Sequence, residues 1–442
     1  MQMNQRRRFV LGTSALLALA VVASIGLIYI PYWRPDYWMN KSALEERLKS
    51  AAEQGTPVRF SDLAVSDPAG TELANQLSKE LEKLVPIPNE LLETDSDSDS
   101  QRTSLLNYLQ QNEKTLASIE ALQPLSACRF SFDAETPSPM GTLLPHVDGL
   151  NKLLRNYRAK FRLAVEDKNG QAAFESFIDT LECSECLAKD PFFVSQMVRA
   201  RTGEEALEIL LRILEMTDLS EEQFLATDAL LQKLEAEFRV KGYIASEAAI
   251  CFTNLENIAH PLNREHLFST ADLHVDGTIS NTALSRVNRW SSWAYKPHLM
   301  AQQLWVLDNT SELTKLVDEP GPEATAAWIN TIQSIDEFIV QSREEAIASL
   351  YPVVAMFRSR AFHYRHRLML SRIALRLDRY DAQHGAYPHD LAQIVDNALP
   401  SLPRNLWTGE AVQYRSEEGK CVLVYSYDNG HEPDTVSITL TK

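Results

Sequence analysis

The chain opens with an unbroken apolar block and only afterwards becomes periodic. Phe9 to Ile30 is twenty-two residues without a charge, directly behind Arg6, Arg7 and Arg8. A helix rising 1.5 Å per residue over that length crosses a hydrocarbon core of about 30 Å, so the block predicts a transmembrane anchor over 9–30. Tyr29, Tyr32, Trp33, Tyr37 and Trp38 cluster at its far end, where amphipathic rings settle at a membrane interface. The three arginines are expected to stay in the cytoplasm as a basic flank over 1–8, which places everything after about residue 34 on the other side. A cleaved signal peptide, with Val21 and Ala23 or Ala18 and Ala20 as its small residues, is the alternative. Either route exports the remainder.

Beyond the apolar block the period is helical. Ser42 to Gln54 predicts a short helix, with Glu45 three residues after Ser42 as in a capping box. TELANQLSKELEKLV carries an apolar stripe through Leu73, Leu77, Leu81 and Leu84, and Leu105 to Leu122 repeats the pattern. The Asp/Ser alternation from Thr94 to Ser104 and the Pro/Gly-rich stretch from Cys128 to Pro145 are expected as loops, making 31–145 an irregular helical linker region. From 146 to 350 the spacing predicts a helical bundle. LNKLLRNYRAKFRLAVE ends at Asn169-Gly170, AAFESFIDTLECSECLA ends at Lys189-Asp190, Pro191 is expected at a helix start, and Ser220 with Gln223 forms a capping box. Short turns between such helices imply antiparallel packing in an irregular helical bundle or solenoid. No fixed thirty-four-residue repeat is present.

Residues 351–442 change character. Pro352 marks a kink or a start, and Phe357, Ala361, Tyr364, Leu368, Ser371 and Leu375 then form one apolar stripe on a long helix. Its other faces carry Arg358, Arg360, Arg365, Arg367, Arg372, Arg376 and Arg379 with His363 and His366, expected to be solvated or paired with the chain's own acids. Gly385 suits the left-handed stop of that helix, and Pro388 is expected to start a short second helix through Leu391 and Ile394. AVQYRS and KCVLVYSY flank Glu418-Gly419 as a hairpin, and TVSITLTK supplies a third strand. The fold class expected is mainly α, with a C-terminal α+β segment holding a small antiparallel sheet.

The order of unlike residues in this last segment resembles the globular end of type II secretion pseudopilins. Tyr380, His384-Gly385, Tyr387-Pro388, Leu391, Pro403, Trp407, Gly409, Tyr414 and Tyr425-Ser426 carry the likeness, which covers about the last ninety residues. The chain as a whole resembles a group of bacterial membrane-anchored helical proteins with no established activity. The pseudopilin resemblance implies a pilin-like fold for the segment and a calcium ion near the final loop, for which Asp428, Asn429, Glu432 and Asp434 are the available oxygens. The loop is shorter than the family's, and Asn405-Leu406 stands where Asp-Pro is usual. Pseudopilins also place their long helix at the amino terminus, behind a processing Gly and with a Glu five residues in. Here Arg8 and Thr13 occupy those positions, which argues against a filament subunit.

Charge and thiols refine this picture. Setting aside the first forty residues, which hold four Arg and one Asp, leaves a body at net −20 in a chain of net −17. Such a balance excludes broad electrostatic capture of nucleic acid, and repulsion from an anionic bilayer leaves the tether as the link to the membrane. The arginine triplet before Phe9 also resembles a twin-arginine export signal. Cys128, Cys183, Cys186, Cys251 and Cys421 are an odd set whose one close pair, Cys183 and Cys186, lies in a helical pattern without further zinc ligands. Core or helix-surface thiols and a local disulfide are the readings that pattern supports. His260, His266 and His274, beside Glu256, Glu265, Asp272 and Asp276, lack any diagnostic metal spacing, and Trp290, Trp293, Tyr295, Trp305 and Trp328 are expected to fill gaps between helices. No catalytic residue and no other cofactor-binding residue is expected. The leading functional expectation is a membrane-anchored extracytoplasmic scaffold or protein-interaction protein, associated with secretion or envelope machinery. An exported hydrolase whose residues converge only in three dimensions is the alternative, and convergence of those histidines with carboxylates in a deep pocket would distinguish it.

Overall fold

The computed structural model describes residues 35–441 except 65, 94–98, 123, 137–143, 260–299, 343–350, 418 and 429–432. The apolar block 9–30 and the histidines at 260, 266 and 274 lie outside the described residues. Among those described, no helix is long and apolar enough to cross a membrane. The helices are α1 (Pro35–Glu53), α2 (Pro68–Leu81), α3 (Glu90–Glu93), α4 (Asp99–Glu120), α5 (Pro145–Glu166), α6 (Gly170–Glu185), α7 (Phe193–Met216), α8 (Glu221–Glu237), α9 (Lys241–Ala259), α10 (Pro322–Ser342) and α11 (Tyr351–His384). Strands β1 (Gln413–Glu417), β2 (Lys420–Asp428) and β3 (Pro433–Thr441) complete the chain. The architecture is mainly helical with a small antiparallel sheet at its end, as the periodicity predicts.

Contacts divide the chain into two units, one built from residues up to 63, 133–142 and 248–311 and the other from the rest. In the first, Leu44 of α1, Val58, Phe252 of α9 and Met300 share a small core. Arg59 forks onto the Glu256 carboxylate at 3.0 Å, Arg47 meets Asp308 at 2.9 Å, and the Phe60 amide donates to Thr253 Oγ1.

The second unit is where local signals and packing are easiest to connect. Asn169 caps α6 by accepting from the Ala172 amide, so it both ends one helix and starts the next. Ser220 and Gln223 make both hydrogen bonds of the capping box at the start of α8. Pro191 does not open a helix. Phe192 is extended and α7 begins at Phe193, whose amide donates to the Glu247 carboxylate at 2.9 Å. Asp190, restrained by the following proline, instead turns its carboxylate inward to His146. α5, α6 and α7 pack in sequence, each burying a stripe against the next.

α11 differs more from expectation. The predicted stripe is buried at Ala361, Tyr364, Leu368, Ser371 and Leu375, but so are Phe362, His366, Met369, Leu370, Ile373, Ala374 and Leu377. α7 and α8 cover one side of the helix and the sheet another. Its basic residues are therefore partly interior, and no helix surface of this length could bury them without partners. Gly385, at φ +76°, stops α11 with its amide on the Asp381 carbonyl. The short second helix is a single 3-10 turn, Leu391–Ile394, capped by Asp390 rather than opened by Pro388. Glu417 pairs with Lys420 across a two-residue hairpin loop whose Gly419 sits at φ +69°. The sheet order is β1-β2-β3, antiparallel throughout.

Candidate functional site

The arginines of α11 meet two different kinds of environment. Asp228 of α8, 4% exposed, accepts from Arg376 Nη2 at 2.6 Å and from Arg372 Nε at 3.3 Å. Arg372 also reaches Glu235 at 2.9 Å and the Ala398 carbonyl, while Arg376 reaches Asp396 at 2.8 Å. Arg379 meets Glu221 at the surface. The acids of α8 thus neutralise Arg372, Arg376 and Arg379, the intramolecular pairing expected of these arginines. Arg358 has no such partner. It is fully buried among the rings of Trp328, Phe362 and Trp407, with ring centroids 4.7 to 5.3 Å away, and donates to the carbonyls of Glu319 and Ala324. Burial lowers its pKa to about 10, and the cation is held by aromatic faces and backbone dipoles. Trp328 is buried between helices, as expected of it, while Trp290, Trp293 and Tyr295 lie outside the described residues.

Side chains of the carboxy-terminal segment tie the 3-10 turn and the loop after it to the sheet and to α11. Tyr425 donates to the Pro403 carbonyl and Tyr414 to the Pro388 carbonyl, each at 2.7 Å. The Asn405 side chain accepts from the Trp407 amide and donates to the Ser426 carbonyl, joining loop to strand. His366 of α11 accepts from the Leu406 amide at 2.8 Å through Nε2, which fixes its proton on Nδ1; burial pulls its pKa down to about 3, so the ring is neutral. Of the expected calcium ligands, Asn429 and Glu432 lie outside the described residues. Asp428 and Asp434 sit at strand ends, with Asp428 paired to Pro433 and Asp434 to Tyr427. Among the described residues no group of three metal-ligating side chains comes together.

Two features remain as places where something could bind or react. The first is an open groove of about 810 Å³ between α5 and α7. Phe161, Val165 and Ile209 contribute apolar surface, and Arg158, Arg162 and Arg212 alternate with Glu166, Glu205 and Glu215 around it. Its charges are already matched within the chain: Arg162 to Glu166 at 3.1 Å, Arg212 to Glu215 at 3.1 Å, and Arg102 to Glu166 at 2.8 Å. A small ion of either sign therefore gains little there. The second is a buried knot under the 3-10 turn Leu125–Ala127. His146 Nε2 lies 2.7 Å from Asp190 Oδ2, both nearly inaccessible, and the Phe130 ring stacks on the imidazole at 3.9 Å. Gln196 donates to the carbonyls of Leu187 and Asp190, holding the turn closed. Cys128 and Cys186 share the apolar core around this turn. The imidazole–carboxylate pair has the form used in catalysis but faces ring and backbone rather than an open pocket, which makes it a packing device. No sequence pattern announces this pair, because its members are forty-four positions apart.

Compared with protein-family models, with curated proteins and with solved structures, the chain matches none.

Proposed function

We propose that the chain is a membrane-anchored scaffold that presents its acidic helical body outside the cytoplasm to protein partners, in association with envelope or secretion machinery. The observation that carries this reading is the asymmetry of the sequence: three arginines, twenty-two uncharged residues, an aromatic flank, and then a body at net −20. The mixed-charge groove between α5 and α7 supports it, because neutralised charges around apolar side chains suit a protein surface better than a small anion or cation. The pilin-like segment offers a second face, and its likeness to pseudopilins is the reason for naming the envelope.

Membrane fractionation with alkaline extraction, followed by protease shaving of cells with a permeabilised outer layer, tests the reading. The full-length protein is expected to stay with the membrane at high pH and to be digested from outside, leaving only a short protected amino-terminal fragment. Intact protein in the cytosolic fraction, or a body protected from protease until the cell is lysed, overturns it.

A further inference from the structure

The two edges of the carboxy-terminal sheet are finished differently. β1 is five residues long and turns Arg415 and Glu417 to solvent, the short charged edge by which a sheet is kept from pairing with another chain. β3 is nine residues long. From Thr435 to Thr441 it holds no charge, no proline and, in its unbroken register with β2, no bulge. Its Thr, Val and Ile are residues that favour strands, so none of the usual devices blunts this edge.

The direction of hydrogen bonding along β3 follows from the hairpin. Glu417 and Lys420 close a two-residue loop and exchange both their bonds, which turns the main-chain groups of Lys420 toward β1. Alternation then turns Cys421 and Leu423 toward their partners Leu440 and Ile438, and leaves the N–H and C=O of Ser437, Thr439 and Thr441 facing away from the sheet. Among the described residues, no main-chain hydrogen bond joins these three to another part of the chain. Their side chains are exposed and alternate with buried Val436, Ile438 and Leu440.

The space beside that edge is the groove between α5 and α7. Thr439, one of the outward-facing residues, is the residue of β3 that lines it, together with Phe161 and Val165 of α5 and Ile209 of α7. β3 rests on α11 and reaches α7. The next strand position, about 4.8 Å farther from β2, therefore falls in the groove. Every second side chain of a strand seated there faces the apolar floor. The charges around that floor, Arg162 with Glu166 and Arg212 with Glu215, are already matched and neither demand nor repel a net charge on the occupant.

We infer that the groove is the seat of a fourth strand, supplied by an extended, uncharged segment of a partner protein in which apolar and polar side chains alternate. This deepens the proposed function and rests on its reading of the groove as a protein-facing surface. Main-chain pairing with β3 gives such a complex its affinity, and the side chains on the groove floor give it selectivity.

The test uses the full chain purified in detergent and fluorescein-labelled peptides of the length of β3, in which Val, Leu or Phe alternates with Thr or Ser. Binding is read by fluorescence anisotropy, and its position by amide hydrogen exchange resolved to single residues by mass spectrometry. At least one peptide is expected to bind and to slow exchange at Ser437 and Thr439, whose amides face outward, while Ile438 and Leu440, bonded to β2, stay slow throughout. Thr439→Pro removes one outward N–H without touching the ladder to β2, and is expected to weaken binding by at least about tenfold. Slow exchange at Ile438 and Leu440 in that variant verifies its sheet; should they exchange fast, Val165→Lys, which alters the groove floor and leaves the sheet alone, decides instead and is expected to weaken binding as much. No binding by any peptide, binding that neither variant weakens, or protection confined to the helices overturns the inference. Self-association of the peptide-free protein that Thr439→Pro abolishes overturns it in favour of a second copy as the occupant. Every arm uses purified protein, so peptide binding can fail while fractionation and shaving still place the body outside the cytoplasm, and that placement can fail while peptide binding stands.

Discussion

Gly203 offers a test in which helix propensity and packing point in opposite directions. It lies in the interior of α7, buried against Tyr364 of α11. A Cβ at this position would stand 2.6 Å from Tyr364 Cζ and 2.7 Å from Cε2, with the phenolic oxygen nearer still. Real Cβ atoms essentially never come within 3.0 Å of such neighbours, so something must move. The Tyr364 ring has little room to retreat, being fully buried and held edge-on by Phe238 at 4.9 Å. Replacing a mid-helix glycine by alanine ordinarily gains about 1 kcal/mol. Overpacking a close helix crossing costs about 1–3 kcal/mol, and a backbone displacement of the size needed here belongs at the upper end. Packing therefore wins, and Gly203→Ala is expected to destabilise by about 1–2 kcal/mol, a fall of roughly 2–6 °C in Tm for a unit of a few hundred residues. Gly242 in the first turn of α9 is the control, since a Cβ there would meet no atom within 4 Å; Gly242→Ala is expected to be neutral or to gain up to about 1 kcal/mol. Thermal unfolding followed by far-ultraviolet circular dichroism measures both. A Gly203→Ala protein that melts at or above the wild type refutes the claim that α7 and α11 touch at this point.

Further expectations follow from the buried charges. Asp228→Asn strands two guanidinium groups that are at most 7% exposed; because Glu235 and Asp396 remain as partners, the loss should fall near the lower end of the range for a broken buried pair, about 3 kcal/mol by urea unfolding. Arg379→Ala, which removes the exposed pair with Glu221, should change the same measurement by less than about 1 kcal/mol. Burial raises the Glu247 carboxyl to about 7, opposed by the bond it accepts from Phe193. A folded-state pKa above the unfolded value contributes stability that is complete below about pH 4.5 and is lost as pH rises through 7. Glu247→Gln should therefore flatten the fall in urea midpoint between pH 5 and 8, and an unchanged slope would show that the carboxyl is not protonated in the fold.

What is legible in the sequence is local. The capping box at Ser220 and Gln223, the Gly385 stop and the turn at Gly419 each act within a few residues, and each appears where the pattern places it. Pro191 departs from its local signal because its φ restriction suits a helix start, while the side chain that decides the matter, Asp190, answers to His146 across forty-four positions. The arginines of α11 are expected outside or in pairs. Asp228 and Glu235 supply such pairs, but no periodicity announces that Arg358 is enclosed by Trp328 and Trp407, since the rings come from different elements. The thiols show the same limit: Cys183-x-x-Cys186 is the visible spacing, while Cys128 joins the same apolar core from far along the chain. Candidate chemistry in this chain is tertiary, which is why spacing alone points to no catalytic set.

The two-sided burial of α11 leads to a prediction about the carboxy-terminal segment. On one side His366 binds the Leu406 amide and Phe362 packs against Trp407, joining the helix to the loop before β1. On the other side Tyr364 meets Gly203 and Phe238, and Arg372 and Arg376 are neutralised by Asp228. Cutting out residues 351–442 keeps the first set and deletes the second. The fragment would expose a row of apolar side chains and two arginines lacking their buried carboxylate, while retaining a three-stranded sheet that needs a packed helix for its own stability. It is therefore expected to melt without a cooperative transition and to give a poorly dispersed amide spectrum, whereas residues 64–442 should melt cooperatively. A sharp melt from the short fragment would mean that the loop and sheet suffice to hold α11. Failure of the short fragment together with folding of the long one would mean that this chain uses the second side of the helix to weld its carboxy-terminal sheet and loop to α7 and α8 rather than carrying them as an independent domain.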